Sequence, residues 1–179
     1  MAFEKLIQEF QERTAEAIGM GGAEKLAKRK ADGHLNARER IEYLLDKDTF
    51  IESGRFARSN RPEVKHKTPS DGKVAGFGRI HGREVGLVSN DFTVMGASSA
   101  VINMKKIKHV KEVANKRGLP LVLLGESSGA RMPDRMGSAG RAIIAQDSAE
   151  YQRLRETPWA SALLGACYGS STWYSAMSD

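Results

Sequence analysis

Leu119-Pro120-Leu121-Val122-Leu123-Leu124-Gly125-Glu126-Ser127-Ser128-Gly129-Ala130-Arg131-Met132-Pro133 is the stretch that decides the fold. Its first six residues are hydrophobic throughout and give way to small ones, the pattern of a buried parallel strand, over 119–124, that ends in a loop. A second copy of the arrangement follows, where the apolar run Ala160 to Cys167 leads into Gly169-Ser170-Ser171. Two strands that end in small-residue turns can each aim a backbone N–H at one point. A pair of such donors stabilises an oxygen on which negative charge develops.

Upstream, the spacing predicts strands over Lys73 to Ile80 and Arg83 to Ser89, joined by His81-Gly82 as a tight hairpin turn. Asn90 to Gly96 leaves the second strand, and a helix is predicted from about Ala97 to Lys116, ended by Arg117-Gly118. Downstream, residues 138–156 are helical by composition and stop at Thr157-Pro158, a strand follows over 159–167, and a helix begins at Ser171. This alternation is a βαβ succession and implies an α/β core. The chain ends at Asp179, just into that last helix, so the fold is expected to be cut short there.

Ahead of the core, residues 1–54 read as a helical arm. Apolar residues from Phe3 to Ile18 form a stripe that Gly19 to Gly22 ends, and a basic helix runs from Ala23 to Ala31. A third helix starts at Asn36, an N-cap whose capping box Glu39 completes. Residues 55–72 are polar and hold two prolines, a linker or long mobile loop. The remainder, 73–179, is the α/β part.

The 179 residues, 40% of them hydrophobic, suffice for one ordinary core. A net charge of +6 admits nucleic acid, headgroups or phosphate-bearing small molecules as partners. Lys25, Lys28, Arg29 and Lys30 read as a solvated helix face; nucleic-acid binding is the sharper alternative, weakened by the lack of interleaved aromatics. Cys167 is the only cysteine and the four histidines are scattered, so no metal-ligand spacing is present. With no long apolar run, a cytoplasmic protein free of the membrane is expected.

Four ordered stretches resemble one family, the carboxyltransferase (β) subunits of biotin-dependent acyl-CoA carboxylases, which handle propionyl-, acetyl- or methylcrotonyl-CoA. They are Leu35 to Ile41 with Leu44-Leu45-Asp46, Asn90 to Ser98, Ser128 to Met132, and Gly165 to Ser171. The resemblance implies a crotonase-like (ClpP/crotonase) fold of stacked βαβ units, of which this chain covers part of the N-terminal domain. It also implies transfer of a carboxyl group from carboxybiotin, held on a partner carrier domain, to a short acyl-CoA, with no metal in this chain. A sodium-pumping acyl-CoA decarboxylase runs the same half-reaction in the opposite direction, and a non-catalytic assembly module is the third reading. Implied partners are the biotin carboxyl carrier protein, the biotin carboxylase subunit and further copies of the full-length chain; nucleic acid is not among them.

Such a transfer passes through an enolate, and backbone donors about 3 Å from its oxygen lower the barrier by on the order of 3 kcal/mol each. By the family pattern those donors are Gly129 and Ala130 in the first loop and Gly169 and Ser170 in the second. Ser170-Ser171 stands where the family shows a glycine pair, and Ser128 likewise takes a glycine's place; both keep an N–H but add a Cβ. Ser128, Arg131 and Lys106 are the residues expected at the CoA moiety. Arg131 has the alternative of tying the loop to a buried carboxylate such as Glu126. Asp91 reads as turn chemistry rather than an active-site acid, and Cys167 as a packed core thiol. A serine-nucleophile reading of Ser127 or Ser170 lacks a histidine near in sequence; the nearest, His109, lies on the preceding helix.

Overall fold

A computed structural model describes residues 2–136 and 157–179. Its centre is a hairpin of β2 (Lys73–Ile80) and β3 (Arg83–Asn90), antiparallel with Ile80 opposite Arg83. His81 and Gly82 both take positive φ, 49° and 78°, as a two-residue turn matched to strand twist requires. Both turn N–H groups donate to the Asp46 carboxylate, at 3.0 and 2.8 Å. The short strand β1 (Ile51–Ser53) pairs antiparallel with β2. On the other side β4 (Leu121–Ser128) runs parallel to β3 and β5 (Trp159–Tyr168) parallel to β4, so the order is β1-β2-β3-β4-β5. The sheet is therefore mixed, with its parallel half where the sequence places it.

Period-two alternation splits the core between the two faces. Ala75, Val88, Leu121 and Leu123 pack against Met104, Ile107 and Val110 of α5 (Val101–Arg117), with Trp159 and Tyr174. Gly118, left-handed at φ 66°, closes α5 as expected. On the opposite face Val74, Val85, Leu87 and Leu124 meet Met20, Ile41 and Leu45. The N-terminal segment is thus one wall of the core as well as an arm.

That segment holds α1 (Ala2–Ile18), α2 (Ala23–Ala31) and α3 (Ala37–Leu44). The capping box at Asn36 forms in full: its side chain accepts from the Arg38 and Glu39 N–H groups, and the Glu39 carboxylate accepts from its own. On α1, Phe3, Leu6, Ile7 and Phe10 are exposed, and Phe10 stacks edge-on against Phe56 at 5.6 Å.

Two expectations need correction. Residues 55–72 carry α4 (Pro62–Lys65) and a 3-10 turn (Pro69–Gly72), and they bury Ser59, Thr68, Ser70 and Asp71. They are packed because their polar side chains find internal partners: Thr68 Oγ1 accepts from Ser59 N, and Ser70 Oγ donates to Arg55 O. Second, β4 does not stop at Leu124. It continues through Ser128, past a register shift between Gly125 and Ser127, because β5 extends alongside it to Tyr168. The helix expected at 138–156 lies outside the described residues.

Candidate functional site

The site grows from the ends of β4 and β5. Beyond Ser128, Gly129 turns at φ 106°, and Ala130 forms a parallel bridge with Ser99. In that bridge Ser99 N donates to Gly129 O, and Arg131 N donates to Ser99 O, both at 2.8 Å. Successive peptides of an extended segment alternate sides, so the Ala130 N–H faces away from Ser99. It has no hydrogen-bond partner among the described residues.

Gly169 stands opposite. A Cβ built on it would lie 3.4 Å from Gly129 Cα and 4.0 Å from Ala130 N. With φ 64° and ψ −131°, Gly169 leads into α6 (Ser170–Ala176), whose first N–H, that of Ser170, also has no partner among the described residues. The two loops read as a pair from sequence are therefore in contact. Ala130 and Gly169 are both exposed, while Gly129 is buried.

The expected donors are not equivalent. Gly129 N already donates to Ser127 Oγ at 3.1 Å, which leaves Ala130 as the open donor of the first loop. Ser127 is itself buried, and its Oγ faces Ala97 O at 3.3 Å. Among the described residues no histidine bonds to Ser127 or Ser171; His109 is exposed on α5. Ser128 is exposed, and its side chain fills the space beside Gly96, where a Cβ would meet Ser128 Oγ at 2.5 Å.

Arg131 and Lys106 are turned inward, which corrects their assignment to the CoA moiety. Arg131 is buried and its Nη1 donates to Asp71 Oδ1 at 2.6 Å; its tie is to Asp71, not Glu126. Lys106 is 7% exposed, and its ammonium donates to the carbonyls of Ser70, at 2.9 Å, and Lys73. Burial pulls its pKa down to about 8. Lys73, fully buried with Nζ on Ala97 O, is pulled down to about 7 for the same reason. Burial pushes the carboxyl of Asp71 up against the opposing pull of Arg131.

Glu126 instead receives two arginines of the N-terminal segment. Arg29 approaches it with both terminal nitrogens, at 2.9 and 2.8 Å, and Arg40 Nη1 lies at 2.8 Å. Lys25 donates to Thr93 O, so the basic helix α2 is in part an inward-facing clasp. Asp91 keeps its turn role, Thr93 N donating to its Oδ1 at 3.0 Å, and burial pushes its carboxyl up. Cys167 is half-buried rather than enclosed, because its strand lies at the edge of the described sheet, and burial raises its thiol. Sequence spacing missed Ser127, Asp71 and the two arginines of Glu126, since each meets its partner only through tertiary folding or a specific turn.

Comparison with known proteins bears on this geometry. The family model described as carboxyl transferase domain matches residues 28–179. The methylmalonyl-CoA decarboxylase subunit alpha of Propionigenium modestum is 34% identical over 98% of this chain and 34% of its own length. The propionyl-CoA carboxylase carboxyltransferase subunit of Haloferax mediterranei is 33% identical over 100% of this chain and 35% of its own. A structure of transcarboxylase 12S, with hydrolysed methylmalonyl-coenzyme A bound, superposes with a TM-score of 0.86 at 29% identity, covering 97% of this chain and 34% of that one. The chain spans about a third of the length of these relatives. The likeness places its sheet and flanking helices in the crotonase-like fold.

Proposed function

The chain belongs to the carboxyl transferase domain family, and on that premise we propose that the protein carrying it transfers a carboxyl group between biotin and a short acyl-CoA. The observation that carries the reading is the close approach of Gly169 to Gly129 and Ala130, which brings the ends of β4 and β5 together at residues 129–130 and 169–170, where the N–H groups of Ala130 and Ser170 have no partner among the described residues. A thioester oxygen seated there gains negative charge when the adjacent carbon loses a proton. The Ala130 and Ser170 N–H dipoles are fixed beforehand and pay no reorganisation when that charge develops. Gly129, its own N–H held by Ser127, supplies the bend that exposes Ala130. Gly169 supplies the close approach.

Carboxylated biotin, presented by a carrier domain of a partner, supplies the carboxyl group when bound. The full protein is read as a cytoplasmic homo-oligomer that works with a biotin carboxylase subunit; among the described residues no helix is long and apolar enough to cross a membrane. The opposite direction, decarboxylation of a carboxylated acyl-CoA, is the second reading. It is favoured by the match to a methylmalonyl-CoA decarboxylase subunit at 34% identity, level with the carboxylase relatives.

The test supplies the full-length protein with carboxylated carrier and acetyl- or propionyl-CoA and follows the carboxylated thioester by mass spectrometry. Product formation that requires the protein supports the reading. No product in either direction, together with no heat of acyl-CoA binding at millimolar concentration, sinks it.

A further inference from the structure

The Arg131 side chain is anchored by a turn that is costly to form. Ser70, Asp71 and Gly72 take consecutive positive φ values of 48°, 46° and 70°, although two of them carry a Cβ. Surrounding groups hold the turn in place: Asn103 Nδ2 donates to Asp71 O, Lys106 Nζ to Ser70 O, and Ser70 Oγ to Arg55 O. The buried residues of the turn are Ser70, Asp71 and Gly72, and what it delivers is the Asp71 carboxylate, within 2.6 Å of Arg131 Nη1. Both side chains are almost wholly buried, at 0% and 1% exposure. Asp71 Oδ2, Arg131 Nε and Arg131 Nη2 have no hydrogen-bond partner among the described residues. A buried ion pair with spare polar atoms is a poor device for stability, since desolvation offsets most of its attraction.

The pair is well placed for another purpose. Arg131 follows Ala130 directly, and its main chain is tied to Ser99. Its guanidinium is bonded to Asp71, with the buried Asp134 carboxylate 3.9 Å from Nε, so the residue after Ala130 is held by its side chain as well as by its main chain. Asn103 extends the frame, donating also to Ser98 O next to that tie.

We propose that Asp71 is a positioning residue for the transfer reaction: through Arg131 it fixes the direction in which Ala130 presents its N–H. The proposal rests on the reading of Ala130 as an oxyanion donor. It makes the 69–72 turn, far from the loop in sequence, part of the reaction apparatus.

The test uses the full-length protein with Asp71→Asn and, as a charge-preserving second variant, Arg131→Lys. A misdirected donor lowers kcat by roughly 10- to 100-fold while KM for acyl-CoA stays within about 3-fold, since the effect falls on the transition state. Amide exchange read by mass spectrometry over residues 127–132 rises by about 10-fold or more, with β3 unchanged. Asp71→Asn that folds with wild-type kcat overturns the proposal. If that variant does not fold, wild-type kcat in Arg131→Lys overturns it. Unchanged exchange at 127–132 overturns it as well, whatever the turnover, whereas loosened exchange in a protein whose wild type never turns over acyl-CoA leaves the anchoring intact and strikes the functional reading.

Discussion

Gly169 approaches Gly129 so closely that a methyl group on the former would stand 3.4 Å from the Cα of the latter. Its φ of 64° with ψ of −131° adds a second constraint, because side chains other than hydrogen are strained there. Gly169→Val should therefore push the two loops apart and turn the Ser170 N–H away from that of Ala130. The expected loss in kcat of the full-length protein is about 100- to 1,000-fold, the scale of a lost oxyanion donor. Subunit assembly, read by light scattering, should persist. A Gly169→Val protein that assembles and turns over normally would remove the loop pair from the chemistry.

Glu126 is the point where arm and sheet are fastened. It is 5% exposed and is shared by Arg29 and Arg40. Glu126→Gln leaves both guanidiniums without a buried counter-charge, and the cost of breaking such a group by one member is about 3–5 kcal/mol. Urea unfolding of the full-length protein should show the loss, with limited proteolysis moving to residues 23–40. A midpoint unchanged within error would mean that the arm is held by its apolar contacts alone.

Lys73 and Lys106 give stability a dependence on pH. Burial brings their folded values to about 7 and about 8, below the ordinary 10.5 that they regain on unfolding. Between those limits the unfolded chain binds more protons, so stability rises with pH from neutrality toward 10.5, at up to about 1.4 kcal/mol per pH unit for each lysine. Denaturant midpoints at pH 7 and pH 9 measure this. Lys73→Met should flatten the slope, and a wild-type protein equally stable at both pH values contradicts the assignment.

Ser128 and Gly96 are matched to each other. A Cβ on Gly96 would meet Ser128 Oγ at 2.5 Å and Cβ at 2.9 Å, and φ at Gly96 is 60°. Gly96→Ala should cost about 2–3 kcal/mol, the sum of a clash and a left-handed alanine. Adding Ser128→Gly should return the clash part and leave about 1–2 kcal/mol. Thermal unfolding of the two single variants and the double variant reads the coupling; strict additivity would show that the serine does not fill that space.

The parallel half of the sheet, the His81-Gly82 turn and the Asn36 cap were legible because each is written in neighbouring residues: an apolar run, a two-residue turn, a box closed over four positions. The meeting of the loops that follow β4 and β5 was legible for a related reason, since parallel neighbours end on the same side and small residues there leave room. Arg131 with Asp71 was not. Which carboxylate an arginine finds depends on where a turn 60 residues away aims it, and residues 69–72 show no glycine or asparagine at two of their three left-handed positions to announce that turn. Lys106 was misread for the opposite reason. Its neighbours on α5 are lysines, and composition does not distinguish Lys106, rotated inward against Ser70 and Lys73, or Lys111, buried with its ammonium 5.4 Å from the Trp159 ring, from the exposed Lys105.

The clasp of Arg29 on Glu126 joins residues 97 positions apart. On a ribosome that adds roughly 5–20 residues per second, the arm emerges and waits on the order of 5–20 seconds before its counter-charge exists. During that interval Met20, Ile41 and Leu45, together with the basic face of α2, have no sheet to rest on. Residues 20–45, made before β4, can therefore dock on it only once it has emerged.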